Sequence, residues 1–299
     1  MSIPKKVGVI GLGAIGMGVA QSLRRAGHHV HVHDIRLELA RAFAAEGGVV
    51  CESPAALAQA CDVVVSAVFN AAQSEAALFG SQGVVAGMAR GGLFVMCSTV
   101  DPGWSEAMEE RLAGHGLLYL EAPVSGGEEA AVSGTLTIIS AGRPAAYEKA
   151  DGILEAMAAN VYRVGARAGA GSTVKLISQL LVCVHQAAAA EAMALAIRRG
   201  VDPQALYDVI THSFSNSVCF EKRITPVISG DYASKSALDI LVKDLGLVLQ
   251  AGRDSTFPLP LASTAHQMFL QASAAGHGRE AVAAVIKIFP GIRLPEKQA

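Results

Sequence analysis

Short runs of β-branched and aliphatic residues alternate with helix-length segments through the first half of the chain. The runs are 5–11 (KKVGVIG), 29–34 (HVHVHD), 62–69 (DVVVSAVF), 92–99 (GLFVMCST), 116–124 (GLLYLEAPV), 136–142 (LTIISAG) and 160–165 (NVYRVG). This alternation predicts repeated βα units and a largely parallel sheet covered on both faces. From Gly171 the strand signal stops. Helical periodicity then covers 171–199, 203–212, about 216–229, 236–253, 259–275 and a short stretch at 280–289. Gly200 closes the first of these helices, and Asp202-Pro203 opens the next. The pattern divides the chain into an α/β domain over 1–165 and an all-α domain over 166–299, joined by a long interdomain helix.

Composition narrows the field without naming a function. The 299 residues suffice for two domains, and 52% hydrophobic against 17% charged suits a compact protein rich in buried helix. A net charge of -2 gives no electrostatic reason for nucleic acid or an anionic membrane as partner. The five cysteines are odd in number, scattered and never in a Cys-x-x-Cys pair, which predicts reduced thiols and a cytoplasmic location. Two segments imitate membrane signals. Lys5-Lys6 precedes an apolar run whose glycine spacing has another explanation, and the apolar stretch 176–197 is interrupted by Gln179, His185, Gln186 and Glu191.

That glycine spacing is Gly11-Leu12-Gly13-Ala14-Ile15-Gly16, directly after a predicted strand and at the mouth of a helix. The first glycine allows a tight turn and the second a close approach to a pyrophosphate. The third allows close helix packing, while Ala14 and Ile15 open a helix whose N–H groups favour anions. The next strand ends in Asp34, eighteen residues after Gly16, where a carboxylate accepts from an adenosine ribose. This is the dinucleotide fingerprint of a Rossmann domain. Asp34 repels a 2′-phosphate and favours NAD over NADP, although Arg36 is able to stack on adenine or grip a phosphate. At later strand ends, Asn70 and Thr99 suit ribose or nicotinamide contacts, and equally suit polar caps of the following helices.

Ser125-Gly126-Gly127, after the run EAPV, exposes consecutive N–H groups and a hydroxyl. It reads as a carboxylate cradle or, alternatively, a flexible helix start. Lys175 begins the long helix after the small-residue run GAGST, at a domain junction, where clefts form. Lys243 lies beside the apolar stripe Leu238, Leu241, Val242, Leu245 and Leu249, where a solvated lysine is the plainer expectation. His29, His31 and His33 share one strand face, but about 6.5–7 Å apart and without a suitably spaced acid or cysteine, so no metal is expected.

These ordered motifs resemble the β-hydroxyacid dehydrogenase family, which includes 3-hydroxyisobutyrate dehydrogenase and tartronate semialdehyde reductase. The resemblance runs from the glycine motif through EAPVSGG, GAGSTVKLISQLL and VKDLGLV, nearly the whole chain. It implies a Rossmann domain, a long interdomain helix and a helical domain that builds homodimers or homotetramers. Within the family VFNAAQ, GSTVKLISQLL and AVIKIFPGIRLP are most similar to the bacterial L-threonate dehydrogenase branch. The wider family usually carries asparagine one turn after the catalytic lysine, whereas this chain has Gln179. The resemblance implies NAD-dependent oxidation of a small hydroxy acid, L-threonate to 2-oxo-tetronate, with Lys175 as general base. Ser125, Gly126 and Gly127 would hold the substrate carboxylate, Gln179 a hydroxyl, and Lys243 would sit by the substrate or the nicotinamide ribose. Reduction of succinic or tartronate semialdehyde, 3-hydroxyisobutyrate oxidation and a catalytically silent NAD-binding protein are the competing readings; Lys175 argues against imine reduction.

Overall fold

The computed structural model describes residues 4–233 and 236–297. The chain forms two compact units, Met1–Lys175 and Leu176–Ala299.

The strands of the first unit are β1 Lys6–Ile10, β2 His29–His33, β3 Val49–Val50, β4 Val63–Ser66, β5 Leu93–Met96, β6 Leu118–Glu121, β7 Val124–Ser125, β8 Leu136–Gly142 and β9 Ala158–Gly165. Its helices are α1 Ala14–Arg25, α2 Leu37–Ala45, α3 Pro54–Ala60, α4 Ala71–Phe79, α5 Val84–Gly87, α6 Pro102–Gly114, α7 Gly127–Ser133, α8 Pro144–Lys149 and α9 Ile153–Met157. The sheet runs β3-β2-β1-β4-β5-β6-β8-β7, with β9 paired to β8. Strands β3 to β6 are parallel throughout; β8 runs antiparallel to β6 and β7, and β9 parallel to β8. Successive residues of one strand enter opposite layers, as period-2 geometry requires. Val7, Val9, Val63, Val65 and Val95 pack in one core, and Ile10, Val64, Phe94 and Met96 in the other. This is the α/β doubly wound Rossmann arrangement, followed by an all-helical unit.

One continuous helix, α10 Ala170–Arg198, carries the chain onward. The second unit adds α11 Pro203–Thr211, α12 Val218–Arg223, α13 Thr225–Ser229, α14 Leu238–Asp254 and α15 Pro260–Ala272. Asp202 caps α11 by accepting from the Ala205 amide at 3.0 Å. The single helix expected over 216–229 is two, because Pro226 in the first turn of α13 has no N–H with which to continue the ladder. The stretch expected as a last helix is a 3₁₀ segment, Val282–Ile288. By length and composition α10 is able to cross a membrane, with mean hydropathy 1.7. Its Cys183, Ala190 and Met193 are instead fully buried, in one cluster with Leu241, Leu245 and Phe269, as in a core helix.

His28, just before β2, gives the first unit a titratable weak point. Burial pushes its imidazole below the ordinary 6.5, the Gly152 backbone opposes this, and Lys5 and His29 add to the lowering. The unfolded chain therefore takes up this proton first as pH falls, so stability is full above about pH 6.5 and is lost toward the folded pKa. Urea unfolding between about pH 7.5 and 5.5 should show a slope of up to about 1.4 kcal/mol per pH unit from this group, reduced in His28→Gln. His31, lowered mainly by burial, contributes in the same direction. An unchanged slope in His28→Gln would remove His28 as the source.

Candidate active site

Gly11 leaves β1 with φ +86, a conformation only glycine adopts without strain, and its N–H donates to the His33 carbonyl at 3.0 Å. Helix α1 then starts with Gly13 at its N-cap, and no side chain caps it. Its leading N–H groups, those of Ala14 and Ile15 among them, thus face outward from the helix start without a side-chain acceptor. A Cβ on Gly16 would lie 1.7 Å from the Gly11 carbonyl oxygen, so turn and helix are in direct contact there. A Cβ on Gly13 would meet only the Arg36 guanidinium, at 4.0 Å, which leaves the backbone open to approach. These residues fit a dinucleotide pyrophosphate.

Asp34 follows β2 and is 5% exposed. Its Oδ2 accepts from the Leu12 amide at 2.6 Å, and its Oδ1 from the Arg36 amide at 2.8 Å and Nε at 3.3 Å. Burial alone would raise this carboxyl; the Leu12 and Arg36 amides and the Arg36 guanidinium more than offset it and hold the group below the usual carboxylate range. Oδ2 keeps a lone pair beyond its one bond, whereas Oδ1 uses both of its own on Arg36. Ile35, 88% exposed, presents an apolar surface beside it that the sequence reading passed over.

Asn70 follows β4 and caps α4, its Oδ1 accepting from the Gln73 amide at 2.9 Å. Thr99 lies beyond β5 but is not the cap of α6; Asp101 is, accepting from the Trp104 amide at 2.9 Å. Gly11, Asp34, Asn70 and Thr99 therefore lie beyond the carboxyl ends of neighbouring parallel strands, on one edge of the sheet. That edge includes the β1/β4 reversal of strand order where ligands bind in such sheets.

Ser125 sits in β7, paired with Thr137 of β8. Gly126 has φ +134 and Gly127 φ +73, so the chain turns sharply into α7 through conformations that favour glycine. Glu128 and Glu129 occupy the first turn of α7. Lys175 ends the first unit, one turn into α10, and is only 5% exposed. The start of that helix is tied to β6 through Glu121.

Within the second unit, Gln179 Nε2 donates to Asp244 Oδ2 at 2.5 Å, and Lys243 Nζ lies 2.9 Å from Asp244 Oδ1. Lys243 is thus held in an ion pair and is 19% exposed, unlike a solvated lysine. Asp244, 2% exposed, was passed over in the sequence, although helical spacing puts it on the buried stripe with Leu241, Leu245 and Val248. Just after β3, Cys51 Sγ lies 3.8 Å from Nδ1 of His31 on β2, and Nδ1 of His33 on β2 lies 3.0 Å from the Cys51 carbonyl. Among the described residues no three His, Cys, Asp or Glu side chains are grouped to hold a metal.

Two family models match the chain. Residues 6–165 match the NAD binding domain of 6-phosphogluconate dehydrogenase, and 169–289 the NAD-binding domain of NADP-dependent 3-hydroxyisobutyrate dehydrogenase. The chain is 58% identical to an L-threonate dehydrogenase of Cupriavidus necator, over 98% of this chain and 99% of that protein. It is 46% identical to an L-threonate dehydrogenase of Escherichia coli K12, over 97% and 96%. The crystal structure of a 3-hydroxyisobutyrate dehydrogenase from Salmonella typhimurium superposes with a TM-score of 0.91 at 45% identity, covering 95% of this chain and 100% of that one.

Proposed function

The chain belongs to the β-hydroxyacid dehydrogenase family, the 3-hydroxyisobutyrate dehydrogenase-like enzymes, and on that premise we propose that it oxidises L-threonate at C2 to 2-oxo-tetronate with NAD⁺. That it is a nicotinamide-dependent hydroxy-acid dehydrogenase follows from the family itself. The observation that carries the substrate is the near-full-length 58% identity to an L-threonate dehydrogenase. Gln179, in place of the shorter asparagine, supports it.

When bound, the dinucleotide supplies the hydride acceptor. Gly11, Gly13 and Gly16, with the amides of Ala14 and Ile15, would hold its pyrophosphate, Asp34 its adenosine ribose, and Asn70 and Thr99 its other half. The buried Asp34 carboxylate disfavours a 2′-phosphate, which supports NAD over NADP. Ser125, Gly126 and Gly127 hold the substrate carboxylate. Lys175 Nζ takes the hydroxyl proton on oxidation and returns it on reduction. Asp244 fixes the Gln179 amide with its nitrogen toward the carboxylate, and we assign the oxygen at its other end to a substrate hydroxyl. Lys243, charge-balanced by Asp244, adds an ammonium toward the substrate or the nicotinamide ribose.

The test is a steady-state screen of the purified chain with NAD⁺ and NADP⁺. The panel is L-threonate, D-threonate, both erythronates, 3-hydroxyisobutyrate and, for the reverse reaction, succinic and tartronate semialdehydes. L-threonate with NAD⁺ should give the highest kcat/KM; a higher value for any other acid would reassign the substrate, and tight cofactor binding without turnover would leave a silent NAD-binding protein.

We place the enzyme in the cytoplasm, where its five cysteines, none of them in a disulfide among the described residues, stay reduced. Val209, Phe214, Val218, Phe257 and Leu261 of the second unit are each more than 60% exposed, and a second copy of the chain is the partner we assign to them.

A further inference from the structure

The strand that leads into the carboxylate cradle also holds the start of the helix that bears Lys175. Glu121, the last residue of β6, is fully buried. Its Oε1 accepts from the Gly171 amide at 2.5 Å, and its Oε2 from the Ser172 hydroxyl at 2.7 Å and amide at 3.3 Å. A fourth bond comes from the Ser105 hydroxyl of α6 at 2.8 Å, and Ser105 is 2.9 Å from the Tyr119 hydroxyl. All four of these groups donate to the carboxylate.

An α-helix starts with N–H groups that have no partner inside the helix, and a residue just before it normally caps them. Here those residues are Ala168 and Gly169, which have no polar side chain. The cap is supplied from the sheet instead, with its negative charge at the positive end of a 29-residue helix. The fit is close. A Cβ on Gly171 would lie 2.9 Å from both Glu121 Oε1 and the Ile139 carbonyl oxygen. The Gly171 carbonyl is, by helix geometry, the acceptor of the Lys175 backbone N–H. Glu121 is thus linked to Lys175 through one residue on one side, and on the other precedes Ser125 by four residues.

We propose that Glu121 is a positioning residue that holds the Lys175 turn of α10 in register with the Ser125–Gly127 cradle. The role rests on the reading of Lys175 as the base and of that loop as the cradle. Misplacing a reacting group by about 1 Å costs on the order of 10²-fold in rate, and such a loss appears in kcat.

The experiment is a double-mutant cycle on the full chain with L-threonate and NAD⁺. Glu121→Gln keeps the size but turns an NH₂ toward donors. It should lower kcat roughly 10- to 100-fold with KM for NAD⁺ within about twofold, and Glu121→Asp should recover part of the loss. In a Lys175→Ala background the same change should cost less than about twofold, because both act on one event. Ser172→Ala deletes one bond while keeping the backbone, and should lower kcat by about two- to tenfold if Glu121→Gln proves too unstable to purify. An unchanged kcat in Glu121→Gln or, failing its purification, in Ser172→Ala overturns the proposal. So does the full Glu121 loss repeated on top of Lys175→Ala. If Lys175→Ala itself turns over normally, the base assignment falls and takes the proposal with it. An inactive Lys175→Ala beside a fully active Glu121→Gln removes the positioning role alone.

Discussion

Replacing Lys175 by alanine should lower kcat by about 10²- to 10⁴-fold, the usual contribution of a general acid–base group. Binding should change far less, because dinucleotide contacts are assigned to the β1–α1 turn, Asp34, Asn70 and Thr99, and the substrate carboxylate to Ser125–Gly127. The helix should survive, since alanine is the best helix former and the α10 start is capped from β6. Lys175 is 5% exposed, and so little exposure makes the charged form costly unless the site compensates it. Lys175→Arg separates two roles. A guanidinium keeps the positive charge but stays protonated at any working pH, so it is unable to act as a base. If the lysine moves a proton, both variants should be severely impaired. If it supplies only charge, arginine should restore much of the rate. Near-wild-type turnover in Lys175→Ala would sink the assignment altogether. The measurements are kcat and KM for both substrates, with melting temperature to show that the variants fold.

What the sequence disclosed, and what it withheld, follows from how far each signal reaches along the chain. The glycine turn and Asp34 were legible because their partners are local or one βα unit away: Asp34 bonds Leu12, 22 residues back. The βα alternation was legible because each strand is a run of β-branched residues. Strand β3 was not, since two residues show no period. The run at 116–124 divides into β6 and β7 around Ala122 and Pro123, and a proline has no N–H to give a ladder. Its carbonyl is used instead, accepting from Ile139 at 3.0 Å. Pro226 divides the expected helix at 216–229 in the same way. Glu121 and Asp244 were hidden because their roles depend on partners 50 and 65 residues distant, brought near only by the fold. Their trace in the sequence is an acid at a core position, in an otherwise apolar strand and on an apolar helix stripe. For Asn70 the cap reading describes a bond the structure contains, whereas for Thr99 the cap belongs to Asp101.

Two alanines in the glycine turn should separate its architecture from its ligand. At Gly16 a Cβ would sit 1.7 Å from the Gly11 carbonyl oxygen and 3.2 Å from the Ala67 Cβ, so backbone itself must move. Helix α1 would back away from β1, an overpacking cost of about 1–3 kcal/mol or more. Melting should fall by about 2–4 °C for each kcal/mol lost. The displaced turn should bind dinucleotide about 100-fold more weakly, since the pyrophosphate contacts depend on where α1 begins. At Gly13 the position is different. Its φ of -65 suits alanine, and the nearest atom to a Cβ is 4.0 Å away, so the empty protein should lose no more than about 1 kcal/mol, the cost of alanine for glycine at an N-cap. The added methyl would nonetheless occupy the approach that the second glycine of such a turn keeps clear for a pyrophosphate. Gly13→Ala should therefore fold normally and bind NADH about 10- to 100-fold more weakly, read by fluorescence titration beside thermal melting. A turn that serves only the fold differs at one point: Gly16→Ala is still destabilised, but Gly13→Ala leaves NADH affinity unaltered.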